Sequence, residues 1–341
     1  MPKKTHIDDA QPLTVDEHFQ LLLDDRSTID SEFVKVTPDD LPEWFDERLF
    51  KIGQRYQMKN LLGISTAHLS GLLAILAVPD IAEVLIYTKQ SATVCLSFRR
   101  YAQTLLLMYA LYYSDMLAPD SKWFQSLNTI RWKHASVSRK RVKDGLNKIY
   151  QKDMAITQFA FVGYALVLPK TVGLAHGTAE DQQGFHHFWR VTAHLLGISD
   201  RMNVCRKTVA ETIELCTRVL HEIVGKHLSN HLPESRQLAE DAVDGLWYSD
   251  VSLNKTAMLK LMHNMSGVEY DKPLDWYSYL NMKQRDLMLY LHGTPYIGVV
   301  VRAIFNTILT VAYWMLEHYP VGAYIGFGKV NAQVCPFATT Q

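Results

Sequence analysis

From Leu41 onward, apolar residues recur at three- and four-residue spacing, and Gly and Pro gather between the runs rather than inside them. That is the period of a helix with one buried face. Runs that alternate every second residue, as a half-buried strand requires, are scarce. The spacing predicts helices over 91–114, 122–138, 144–168, 181–197, 204–228, 234–245, 255–263 and 282–318. The chain is read as all-α, with one helical domain over 41–330, a polar N-terminal arm over 1–40 carrying short helices, and a tail over 331–341. There are no internal repeats and no low-complexity tracts.

Composition narrows the function. Lys+Arg and Asp+Glu each number 35, so the formal net charge is zero and no whole-protein field favours nucleic acid. At 48% hydrophobic and 21% charged residues the chain is globular. Cys95, Cys205, Cys216 and Cys335 form no CxxC pair, which argues against a zinc ribbon and for a reducing compartment. The opening stretch MPKKTHIDDAQPLTVDEHF is polar and lacks a signal-peptide core, so a cytoplasmic protein is expected. Two segments approach membrane hydrophobicity. His68, Pro79, Asp80 and Glu83 interrupt 61–87, which reads as buried helices with a Pro-marked break. Segment 297–315, IGVVVRAIFNTILTVAYWM, carries Arg302 and Asn306 and reads as a core or interfacial helix, with peripheral membrane contact open. Nothing in the sequence speaks to oligomeric state.

Several histidines mimic metal sites. His221 and His227 stand six apart, whereas a helical zinc motif needs four. His227 and His231 have that spacing but lack a third ligand nearby, and Pro233 ends the helix. His186 and His187 open an apolar helix and are expected to cap or pack. No GxSxG, Walker or GxGxxG motif occurs.

One basic stretch is different. In TIRWKHASVSRKR, 129–141, His134 shares a helix face with Arg131 and Ser138, and the small Ala135 would let a flat ligand approach. A single histidine can hold haem iron, and Arg131, Arg139 or Arg141 could meet the propionates. The plain alternative is a half-buried histidine on a basic surface helix. Upstream, the apolar helix SFRRYAQTLLLM places Arg100, Gln103 and Thr104 at i, i+3 and i+4. A polar face there lines a cavity, or is satisfied by neighbouring helix ends.

Three stretches together resemble one family, the rubber oxygenases or latex-clearing proteins, with the fungal oxygenases that cleave a farnesyl chain in mycophenolic acid biosynthesis. Arg100-Tyr-Ala-Gln103-Thr104 resembles the distal Arg-x-x-x-Thr helix. Arg131-Trp-Lys-His134-Ala135 resembles the Arg-x-x-His-Ala helix with the proximal ligand. Asp153-Met-Ala-Ile-Thr-Gln158 and Phe188-Trp189-Arg190 through Gly197 to Asp200 resemble the later Trp-Arg…Leu-Gly signature. The likeness covers about 61–228.

The resemblance implies a globin-like helical core holding haem b, and cleavage of isoprenoid carbon–carbon double bonds by dioxygen to two carbonyl products. His134 would then be the iron ligand, Arg100 and Thr104 would line the distal side and polarise bound oxygen, and Arg131 and Arg139 would serve haem binding. There are departures. Gln103 stands where studied members carry a lysine that closes the sixth iron position, so an open distal site is expected. Ser138 stands where the family has an arginine four residues after the histidine. Glu83 falls within about one residue of the family's catalytic glutamate and is the candidate base. Two other functions remain beside this one: a haem-binding sensor or carrier that cleaves nothing, and a haem-free helical protein that binds isoprenoids or lipids. A smaller terpenoid or polyprenyl chain fits better than rubber itself.

Overall fold

A computed structural model describes residues 6–118, 120–230 and 232–334; His231 and Cys335, and the tail beyond residue 334, lie outside them. Among the described residues the regular structure is helical, with one isolated β-bridge between Thr28 and Tyr150. The all-α reading holds.

The polar arm is folded onto the domain. It forms α1 (Ile7–Ala10) and α2 (Val15–Asp24), the latter started by a Thr14–Glu17 capping box. Val15, Phe19 and Leu22 are buried in the main core. Arg206, fully buried, fastens the arm by donating to Pro12 O at 3.1 Å and Leu13 O at 3.3 Å.

Two tight helix pairs form the centre. Helix α3 (Glu47–Lys59) lies against α9 (Ala179–Leu196), and α4 (Leu61–Ile75) against α8 (Gln151–Val167). Glycine sets both approaches: a Cβ on Gly53 would fall 2.3 Å from Gly184 O, and one on Gly71 would fall 2.1 Å from Ala160 O. Pro79 opens α5 (Pro79–Tyr87), which turns 91° from α4, so 61–87 is the broken pair its proline announced. Helices α6 (Val94–Tyr113) and α7 (Lys122–Lys143) follow and pack on each other.

The second half adds α10 (Val209–Arg218), a π-helical segment Val219–Gly225, α11 (Lys226–Ser229), α12 (Pro233–Leu246) and α13 (Lys255–Met265). It closes with α14 (Trp276–Gly293), α15 (Ile297–His318), α16 (Val321–Phe327) and α17 (Lys329–Ala332). Some predicted bounds shift. Helix α7 runs on to Lys143, and α8 starts at Gln151 rather than 144, because Gly145 at φ +77° leaves the helical region. The run 282–318 breaks at 294–296, where Pro295 cannot donate a backbone bond and Tyr296 turns at φ +58°. Segment 297–315 is not a core helix: on α15 the buried residues are Gly298, Arg302 and Leu316.

Candidate functional site

Helix α6 is capped by Thr93, whose side chain accepts from Leu96 N, and α7 by Ser121, which accepts from Trp123 N. The apolar face of α6 buries Phe98, Ala102 and Leu106, and α12 comes so close that a Cβ on Gly245 would sit 2.6 Å from Phe98 N. That contact orients α6 and turns Arg100, Gln103 and Thr104 away from α12. Arg100 is half-buried and donates through Nη1 to Ser91 Oγ at 3.3 Å and Thr88 Oγ1 at 3.4 Å. Thr104 is exposed and its hydroxyl donates to Arg100 O at 3.0 Å.

Helix α7 meets this face through Lys133, with His134 next to it in the chain. Lys133 Nζ donates to Gln103 Oε1 at 2.6 Å, joining the two helices. Burial, and then the Arg100 charge, bring the Lys133 pKa down to about 8. Arg131 Nη1 donates to Leu195 O at 2.6 Å, tying α7 to the end of α9. His134 is half-buried, and its enclosed Nδ1 has no hydrogen-bond partner among the described residues. Burial first, then the charges of Lys133, Arg131 and Arg100, lower its pKa to about 4. His134 is therefore a neutral imidazole at physiological pH, the form that ligates a metal.

Three cations surround this imidazole, and among the described residues none of Arg100, Arg131 and Lys133 has a carboxylate in ion-pair reach. Positive charge around a neutral histidine, offset at Arg131 only by Asp40 and Asp30 beyond ion-pair distance, fits a flat dianionic porphyrin, with His134 to the iron and the cations to its carboxylates. No group of three or more His, Cys, Asp or Glu able to hold a bare metal ion occurs among the described residues. A single haem ligand does not need one.

Two other candidates sit elsewhere. Arg139 is exposed and its Nη2 reaches Ser136 Oγ of its own helix at 3.4 Å. Glu83 is exposed on α5 and pairs with Arg141 Nη2 at 2.8 Å, two turns beyond His134. Arg141 is the buried arginine of this stretch; its Nε also donates to Asn147 O at 2.9 Å. Glu83 and Arg141 line a polar cavity of about 310 Å³ with Asp80, Lys148 and Asp153. Lys133 was legible only as one cation among five. Its partner Gln103, a buried-side amide on the facing helix, is the signal that singles it out.

The later stretch serves structure. Trp189 stacks on Phe161 at 4.9 Å, and Arg190 Nη2 donates to Asp8 Oδ1 at 2.6 Å, holding α1. Gln158 accepts from Val204 N at 3.1 Å. His186 bonds Thr212 Oγ1 at 3.0 Å, and His187 Nε2 accepts from Asp46 N at 3.0 Å; both lie in the middle of α9 rather than at its start, and pack in the core.

Residues 57–281 match the family model described as ER-bound oxygenase mpaB/B'/Rubber oxygenase, catalytic domain. Among solved structures, one of latex clearing protein LCP in the closed state superposes with a TM-score of 0.56 at 18% identity. The match covers 87% of this chain and 85% of that one, and at such identity it speaks for the fold. No curated protein matches the sequence.

Proposed function

The chain belongs to the family of the mpaB and rubber oxygenases, an enzyme family of oxygenase type, and on that premise we propose that it binds haem b and cleaves a carbon–carbon double bond of an isoprenoid or terpenoid chain with dioxygen, giving two carbonyl products. The observation that carries the reading is the neutral His134, its enclosed Nδ1 without a hydrogen-bond partner among the described residues and its ring under the charges of Lys133, Arg131 and Arg100. Bound haem would supply the iron that activates dioxygen, chemistry no side chain offers.

The chain's own residues do the rest. His134 would hold the iron from α7, its ring kept unprotonated by burial and by the neighbouring cations. Arg131 and Lys133 would neutralise the carboxylates of the cofactor. Arg100 would offer N–H donors from α6 toward developing negative charge on oxygen; Thr104, exposed and with its hydroxyl proton on Arg100 O, would steady that turn of α6 rather than donate. Gln103, an amide whose Oε1 accepts from Lys133 Nζ, would not ligate the iron. Partly buried Leu105, Met108 and Ile130 on the same helices supply apolar surface for an alkene. Glu83, the base that the resemblance implies, sits outside this cluster and is paired with Arg141; as a proton acceptor it would have to act from the neighbouring polar cavity.

The test is the visible spectrum of the purified protein, before and after dithionite, with a pyridine haemochrome assay. A Soret band with b-type haem near one per chain, lost in His134→Ala, supports the ligand. Retention of full haem by His134→Ala would refute the assignment. Haem without carbonyl products from polyprenyl substrates would favour a sensor or carrier, and a colourless protein that refuses added haem would favour a lipid- or isoprenoid-binding one.

A further inference from the structure

Helix α15 has two faces of opposite character. The inner stripe, Gly298, Arg302, Asn306, Leu309, Tyr313 and Leu316, is held along its length. Arg302 Nη1 donates to His292 O at 2.6 Å. Asn306 donates to Lys59 O at 2.7 Å and accepts from Leu61 N at 3.1 Å. Tyr313 stacks on Tyr109 at 4.3 Å, and its hydroxyl lies 3.3 Å from Ser65 Oγ. Leu316 is buried.

The outer stripe is Ile297, Val300, Ile304, Ile308, Val311 and Met315, each between 41% and 60% exposed. Its spacing of three and four keeps it on one side of the helix, over about 27 Å at 1.5 Å per residue. Between Ile297 and Leu316 the sequence has one charge, Arg302, and it is spent on the inner side. Single exposed apolar residues are ordinary on a soluble surface; a continuous uncharged stripe of this length is not. Aromatic residues with a polar edge bracket it. Tyr290 and Tyr296, 69% and 89% exposed, stand at the turn between α14 and α15, and Trp314 and Tyr319, 52% and 57% exposed, at the far end. Ile325 on α16 and Val330 on α17 are exposed apolar residues too.

We propose that this face docks on a phospholipid bilayer, with α15 lying in the membrane plane, the outer stripe among the acyl chains and the four aromatics at headgroup level. The inner contacts forbid spanning, because they hold the helix lengthwise against α3, α4 and α6. Tyr and Trp at both ends of an apolar stretch suit a boundary that is greasy on one side and wet on the other. A homodimer face can be as apolar as this stripe, and it is the aromatic residues at both ends that single out a bilayer. The outer stripe lacks a cluster of Lys or Arg, so apolar burial rather than attraction to anionic lipid drives the docking. The proposal does not depend on haem or on the oxygenase reaction.

The experiment is flotation of the full chain with vesicles of pure phosphatidylcholine, at low and at high salt. The protein is expected to float with the vesicles at both, and Ile304→Asp/Ile308→Asp to reduce the floating fraction at least tenfold. Leu13→Asp, a substitution at a 79% exposed apolar residue on the arm, should float as the parent does. Circular dichroism and melting of the double variant show whether it is folded; should it be unfolded, Ile304→Ser/Ile308→Ser replaces it and should float several-fold less. Parent protein that stays at the bottom of the gradient overturns the proposal. So does a double variant that floats normally but turns a detergent-free dimer into a monomer, since the face would then cover a second copy.

Discussion

Lys133 Nζ and Gln103 Oε1 meet at 2.6 Å, so the helix that carries the candidate iron ligand is joined to the helix that carries Arg100 and Thr104 one residue away from that ligand. An ammonium held by an amide in a half-buried position is a charged hydrogen bond worth roughly 1.5–3 kcal/mol when one partner is cut away. Gln103→Leu should therefore destabilise the haem-free protein by about 2 kcal/mol. Lys133→Met in the same chain should recover most of that, because an apolar pair leaves no buried charge behind. Urea denaturation of both single variants and the double gives the coupling energy. A coupling near zero would mean the contact contributes nothing to holding the two helices.

Gly197 and Arg131 make a second such pair. Gly197 ends α9 at φ +92°, and a Cβ there would stand 3.0 Å from Arg131 Nη1, which itself holds Leu195 O. Gly197→Ala pays the left-handed penalty, about 1–2 kcal/mol, and crowds the arginine beside His134. Its melting temperature should fall by several degrees. Arg131→Ala, which removes the obstacle, should lessen the further cost of Gly197→Ala; an unchanged cost would locate the whole effect in the backbone.

The helical period was enough to place α6, α7, α9 and α12 within a few residues, because each buries a long apolar face. It was weak where a turn lacked proline, as at Gly145, since a lone glycine inside polar sequence carries little punctuation. Arg139 is next to Ser138, where the family has its arginine, and the sequence alone does not separate it from Arg141 as a cation for the cofactor. Five residues past His134 is 500° of helix, so Arg139 leaves the histidine's face, whereas Arg141, seven residues on, returns to it and is the buried one. The Lys133–Gln103 contact was hidden because a tertiary pair across two helices leaves no local signature. The arm's docking was hidden for the same reason: its anchor, Arg206, lies far along the chain.

Glu83 separates stability from chemistry. Its side chain is 58% exposed while that of Arg141 is 5% exposed, so the pair is held from the arginine side, and removing the carboxylate leaves Arg141 its bond to Asn147 O. Glu83→Gln should move the melting temperature little, because the amide oxygen can still accept from Arg141 Nη2. Haem content should not change. If Glu83 is the proton acceptor, alkene cleavage should fall at least tenfold. Unaltered turnover would confine Glu83 to steadying Arg141.

Acid should unfold this protein early. His18, His186 and His187 are buried, and burial lowers their pKa values to about 4, 3 and 4, with Arg206 or Arg190 adding to the effect. The unfolded chain takes protons on these rings below about pH 6.5 while the native chain does not. Their contribution is thus present above pH 6.5 and is lost as the pH falls toward 4, at up to about 1.4 kcal/mol per unit for each ring. Asp153 runs the other way. It is buried, its Oδ1 lacks a partner among the described residues, and burial followed by the Asp80 charge raises its pKa to about 7. The native state then holds a proton that the unfolded state has released between about pH 4 and 7, so this group costs stability as the pH rises. Asp153→Asn removes that term at nearly constant volume. Urea midpoints at pH 4.5, 6 and 8 should show the parent protein weakening toward acid. The variant should exceed the parent by a few kcal/mol at pH 8 and converge on it at pH 4.5. A variant that gains nothing at pH 8 would mean Asp153 is already ionised in the native state and is stabilised there by Lys152 or Arg26.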